Sequence, residues 1–198
     1  MNRQYDEMLT AAVSRLKAVD IAATCKRAGI DYSDGQIVLD SFGARIMLDT
    51  TTWMVEPPID MWLHLPLLQY LEAVDDALPG DRWIGMAELA EGGLVRGASF
   101  DREVDSVLAQ KFCDAEPGKI IMACEKLGGK IVPGRGDLSA IFHFAPHFPL
   151  LLNLWYADDE FPASGKVLIN DAVKHHLGTE VIGTLVAFLI HMIGKELK

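Results

Sequence analysis

Apolar residues enter the chain at helical spacing. Tyr5, Leu9, Ala12 and Leu16 recur at i, i+4, i+7 and i+11, while Arg3, Asp6, Arg15 and Lys17 fall elsewhere, which predicts an amphipathic helix. Asp20 suits the N-cap of a second, short helix that Gly29 would end, with Ile21 and Cys25 on one face. Asp34-Gly35 is a turn signal. The runs QIVLD and ARIMLD, separated by Ser41-Phe42-Gly43, read as a hairpin, which TTWMV extends until Pro57-Pro58 stops it.

Ile59 to Ala77 is helix-rich, and Pro66 suits a first turn, which predicts a helix from Pro66 to Leu78. Pro79-Gly80-Asp81 is a turn, and DRWIGMAEL predicts a short strand leading to Gly92-Gly93. Ser99 suits the cap of a helix from Phe100 to Cys113, with Asp101 and Glu103 in its first turn, where the helix dipole favours acids. Pro117 opens another helix and Gly128-Gly129 ends it. KIVP, LSAIFHF, PLLLNLWYA and KVLIN then read as strands. The third is almost wholly apolar and should be central, buried on both faces. Asp171 suits the cap of a short helix to Leu177, and Thr179 that of a last one through Lys195. Helices and strands cluster rather than alternate, so the expected fold is α+β, a single domain over residues 1–198 with a mostly antiparallel sheet flanked by helices.

Charge adds one feature. The chain has 198 residues and a net charge of −10. Between Ile46 and Val95 stand nine acids and one base, Arg82, which account for −8 of it. Trp53, Trp62, Leu67 and Trp83 are interleaved with these acids, so the segment reads as a folded element with a solvated acidic face. The balance argues against nucleic-acid binding, which needs clustered Lys and Arg. The amino terminus lacks the continuous apolar core of a signal peptide, and the run Val181 to Ile193 is short of the ~20 residues needed to span a bilayer, so the expected location is the cytoplasm, with no membrane partner. Cys25, Cys113 and Cys124 are odd in number and widely spaced, which suits small buried hydrophobes rather than disulfides or a metal centre.

Motifs that would name a chemistry fail. Gly165-Lys166 lacks the preceding glycine and the following hydroxyl of a phosphate-binding loop. Gly134-x-Gly136 lacks a third glycine and leads into a strand. There is no Gly-x-Ser-x-Gly and no His-Glu-x-x-His. His143 and His147 are separated by an extended, proline-flanked stretch, and no metal ligand set is assigned.

Three clusters remain. In WYADDEFP, an apolar strand ends in Asp158, Asp159 and Glu160, which could hold a hard cation, meet a cationic ligand or act as an acid/base pair. Gly92, Gly93 and Gly97 surround Arg96, a setting that lets an anion or a flat ligand approach the backbone. Pro79 to Ile84 carries Trp83 beside a turn.

PGDRWIGMAEL, EGGLVRG, LGGK, GDLSAIFHF and PHFPLLLNLWYADDEFPASGKVLIND together resemble a domain-of-unknown-function family of about this length, found largely in anaerobic bacteria and methanogenic archaea. The Trp-x-x-Asp-Asp-Glu-Phe-Pro segment is the most specific part. The resemblance implies a setting near iron–sulfur and corrinoid proteins of one-carbon metabolism, and no activity or cofactor. Ile169-Asn170-Asp171 departs from the Leu-Phe-Asp of that pattern.

The leading expectation is a small-ligand or cofactor-handling accessory protein whose pocket is lined by Arg96, Asp158, Asp159 and Glu160, with Trp155 and Trp83 as apolar walls. The alternatives are a hydrolase using the three carboxylates, and an interaction module or homodimer built on the apolar C-terminal helix.

Overall fold

A computed structural model describes residues 3–89, 94–112 and 115–197, with the backbone alone for 94–97. Helix α1 spans Arg3–Leu16 and buries Ala12 and Leu16. Helix α2, Ile21–Ala28, begins at Asp20, whose carboxylate accepts from Ala23 N at 3.0 Å. It ends at Gly29, whose φ of 66° is left-handed. Both boundaries are those the pattern predicts.

Strands β1 (Asp31–Ser33), β2 (Gln36–Ser41), β3 (Ala44–Asp49) and β4 (Val55–Glu56) form an antiparallel four-stranded sheet in chain order. The β2–β3 turn places Phe42 at φ 45° and Gly43 at φ 76°, the sign a tight hairpin turn requires. A phenylalanine tolerates this because its ring is anchored between Phe144 and Phe188, at centroid distances of 6.1 and 5.8 Å. Its N–H also donates to His143 O at 2.8 Å. TTWMV mostly turns, with the strand confined to Val55–Glu56, because Asp49 accepts from Thr51 N and Thr52 N and closes a tight loop.

Helix α3 spans Met61–Ala73 and starts five residues before the expected Pro66. Asp60 is the reason: its carboxylate accepts from Trp62 N at 2.9 Å and nucleates the helix there. Pro66 is tolerated inside α3, at the loss of one backbone donor. Strand β5 covers Trp83–Ile84 alone, and the rest of the expected strand is a single helical turn, α4, Met86–Leu89.

Helix α5 runs Leu94–Phe112, so Ser99 lies inside it rather than at its cap. Asp101 does not serve its own first turn either. Its carboxylate accepts from Met86 N at 3.0 Å and Ala87 N at 3.1 Å, capping α4 instead. Helix α6, Pro117–Lys126, begins with proline and is followed by Gly128 at φ 70°.

Strands β6 (Lys130–Ile131), β7 (Leu138–Ala145), β8 (Phe148–Trp155) and β9 (Ser164–Asn170) join β5 in an antiparallel sheet of order β5-β9-β8-β7-β6. The apolar strand β8 is central, as its composition predicts. A short 3-10 segment, Asp171–His175, is capped by Asn170 rather than by Asp171. Helix α7, Thr179–Glu196, packs against α3, α5 and α6; Gly178, one residue earlier than expected, is its cap. The fold is therefore α+β. A chain of aromatic rings links Phe42 of the β2–β3 turn to Phe144, Tyr70 of α3 and Phe148, with Tyr70 and the phenylalanines of β7 and β8 fully buried.

Candidate functional site

The expected site residues fall in separate places. Trp155 pairs with Ser164 at the start of β9, and Trp83 pairs with Asn170 at its end. Six steps along a strand amount to about 20 Å, so the two tryptophans do not wall one pocket. Helix α5 runs against the direction of β9. Asp101 meets α4, beside Ile84 and its strand partner Ile169, whereas the Asp105 carboxylate accepts from Gly165 N at 2.9 Å. The turn of α5 that carries Arg96 therefore lies toward the far end of β9 from the acidic segment. Leu94 to Gly97 are helical rather than a loop. The Arg96 side chain, Gly92, Gly93 and Cys113 lie outside the described residues.

The acidic segment is an exposed turn organised by one of its own carboxylates. Asp158 Oδ1 accepts from Glu160 N at 2.9 Å and Phe161 N at 2.7 Å. These two amides hold the Asp158 carboxyl below the usual range. Asp159 and Glu160 are exposed. The turn is fixed to β8 from behind: the Trp155 indole donates to Arg135 O at 3.0 Å, and Asp137 accepts from Tyr156 N at 2.8 Å. Gly136 lets this brace close, since a Cβ there would lie 2.4 Å from Leu154 O. A Cβ on Gly134 would collide with Ser139. The pair of glycines that fails as a phosphate motif is thus needed for close packing.

Trp83 stands beside another internal clasp. Asn170, 1% exposed, donates to Gly80 O at 2.7 Å and accepts from Gly80 N at 3.2 Å, fixing the Pro79-Gly80-Asp81 turn to the end of β9. Much of the acidic window is used in the same local way. Asp49 closes a turn, Asp60 caps α3, Glu72 pairs with Arg15, and Glu88 meets Arg82 at 3.4 Å. Among the described residues, no group of three His, Cys, Asp or Glu side chains is gathered to hold a metal ion. Cys25 and Cys124 are buried, and burial pushes their thiols up to about 11 and about 12.

A concave site does exist, between α5 and α7. A Cβ on Gly183 would meet the Phe100 ring at 3.4 Å, and one on Gly194 would meet Lys111 Nζ at 2.8 Å. The two helices are therefore parallel and in step, and the two glycines let Phe100 and Lys111 lie across α7. Between these contacts is a groove of about 220 Å³. Phe100, Val104, Val107, Ala187 and Ile190 form its walls, with Glu103 toward one end and Lys111 and His191 toward the other. The α5 positions follow helical spacing, so one stripe of that helix supplies the wall. His191 stands with Thr184 and Lys195 in a thin polar stripe of an otherwise apolar α7. Phe100 and Lys111 carried no motif, and only the pairing of the two helices reveals them. The remainder of α7 is not a free apolar face: Ile182, Leu185, Val186, Leu189 and Ile193 are buried in the chain's own core.

Two antiparallel sheets with the helices packed about them define an α+β protein. The chain belongs to the family described as domain of unknown function (DUF3786), whose model matches residues 20–192. No curated protein and no solved structure matches it. Among the described residues, no helix is long and apolar enough to cross a membrane.

Proposed function

We propose that this protein is a small-ligand or cofactor-handling accessory protein, working in the anaerobic setting that the family resemblance implies, and that its ligand lies between α5 and α7. The observation that supports this reading is the groove itself. Five apolar side chains make its walls, and its charged groups are sorted by sign along its length. Glu103 and Lys111 are eight residues apart on α5, about 12 Å along the axis. A ligand with an apolar body and one anionic group fits this arrangement, with the anion between Lys111 and His191 and away from Glu103. The volume suits a molecule smaller than a typical drug.

The hydrolase reading has less support. A general acid needs a raised pKa, whereas Asp158 is shifted the other way by its two backbone donors. The test is calorimetric titration with octanoate and with octylamine. Octanoate should bind and octylamine should not. Ala187→Trp, which fills the groove, should abolish octanoate binding, and Lys111→Glu should weaken it at least tenfold. Octanoate binding that survives Ala187→Trp overturns the placement, and absence of octanoate binding overturns the ligand class.

A further inference from the structure

The register of the four-stranded sheet sets one row of side chains across all its strands. Asp31 pairs with Val38, Val38 with Met47, and Met47 with Glu56. Directly opposed residues share a face. The other face carries Ile37, Leu48 and Val55, which are buried in the core. The row therefore lies on the outer face, and it reads acid, apolar, apolar, acid. Asp31, Met47 and Glu56 are exposed, Met47 to 45%. Asp49 N–H donates to Met54 O at 3.1 Å, which extends the pairing and brings Met54, 63% exposed, diagonally beside Met47.

The other charges of this face are already matched. Arg45 meets Asp40 at 3.7 Å. Asp49 accepts from Gln36 Nε2 at 2.8 Å and from the amides of its own turn. Asp31 and Glu56 have no ion pair among the described residues. Three inter-strand spacings separate them, about 14 Å. The face thus keeps one unmatched carboxylate on either side of an apolar middle made by Val38, Met47 and Met54.

Charge decides what fits there. A second copy laid face to face would set acids against acids, and an anionic membrane or a nucleic acid would meet the same repulsion. A small polyamine matches the two charges, but an open face gives it no walls and little apolar area to bury. A helix is the usual cover for a sheet face. Methionine, unbranched and polarizable, adapts to apolar partners of differing shape. An amphipathic helix with its apolar stripe set between Lys or Arg residues complements the row, since about 14 Å of helix is about nine residues.

We propose that the outer face of the four-stranded sheet is a docking surface for a basic amphipathic helix of a partner protein. Asp31 and Glu56 hold the basic side chains at either end, and Val38, Met47 and Met54 take the apolar stripe. The surface shares no residue with the α5–α7 groove.

The probe is a designed Leu/Lys amphipathic helix, titrated calorimetrically in about 0.15 M salt, where general attraction to an acidic protein is screened. It should bind and shift the methyl resonances of Met47 and Met54 in the unmodified protein. Asp31→Lys combined with Glu56→Lys should weaken binding about tenfold or more. Asp159→Lys combined with Glu160→Lys changes the net charge equally on another exposed surface and should leave affinity within about twofold. Absence of binding, methyl shifts only elsewhere, or equal weakening by both pairs overturns the proposal. So does equal affinity for spermine or for a Leu/Glu counterpart of the peptide.

Discussion

Gly43 and Gly128 touch through their backbones. A Cβ on Gly43 would stand 2.6 Å from Gly128 N, and one on Gly128 would stand 2.7 Å from Gly43 Cα. Both have positive φ, 76° and 70°. The hairpin turn of the four-stranded sheet is thereby seated on the end of α6. Either residue changed to Ala should lower unfolding free energy by more than about 2 kcal/mol, since backbone strain and collision act together. Gly118→Ala, where a Cβ meets nothing within 4 Å, should be neutral or slightly stabilising. Urea unfolding of the three variants measures the contrast.

Asn170 is a buried side chain that both donates to and accepts from Gly80. Asn170→Ala should cost about 1–3 kcal/mol, because the Gly80 amide and carbonyl lose their partner. The Pro79-Gly80-Asp81 turn should also become the first point of proteolytic cleavage, which mass spectrometry of limited digests would locate.

Stability should fall in two stages as pH is lowered. Burial depresses His64 and His176 below the ordinary histidine value of 6.5. The unfolded chain therefore takes up protons that the folded one resists, and folding loses free energy as pH falls below about 6.5. Asp49, Asp158 and Asp171 are depressed below 3.8 by hydrogen bonds or by Lys174, so their contribution is present above that pH and is lost as pH falls through their lower folded values. Unfolding free energies at pH 7.5 and 5.5 should differ in favour of the higher pH. His64→Gln should reduce that difference whatever it does to the absolute values.

The acidic turn should depend on one carboxylate. Asp158→Asn keeps an acceptor for Glu160 N and Phe161 N and should leave the turn ordered, whereas Asp158→Ala should disorder it. Asp159→Ala and Glu160→Ala should do neither. Amide exchange at Glu160 and Phe161 reports the difference.

Cys25 and Cys124 should resist alkylation at pH 8 in the native state, since burial hides both thiols and keeps them protonated. Peptide mapping after iodoacetamide treatment, with and without urea, should show both labelled only on unfolding.

The elements were legible where a local signal settles them. Asp20 and Gly29 frame α2, Pro117 opens α6, and the unbroken apolar run of β8 marks a central strand. The errors share a physical cause. Asp101 reads as the first turn of its own helix because it stands in an acidic N-terminal pattern, yet it caps α4. Pro66 reads as a helix start because proline is best placed there, yet Asp60 is the stronger nucleator. A side chain's partner across the fold is not written in its neighbours along the chain. The site was less legible for the same reason. Asp158, Asp159 and Glu160 stand out as consecutive charges, but consecutive charges need only a turn to hold them. Phe100, Val107 and Lys111 look like an ordinary helical stripe until α7 is laid beside it.

The five-stranded sheet has long inner strands and stubs for borders. β5 and β6 are two residues each. Along the open margin of β9, the outward amide of Gly165 is already taken by Asp105. Lys130 adds a charge on the opposite border. A stray strand from another chain would meet one outward amide already bonded and a positive charge at one rim. The almost wholly apolar strand β8 is two strands removed from either border. During folding it is therefore the strand whose burial guards the chain against self-association, and truncating either stub should show first as aggregation rather than as loss of ligand binding.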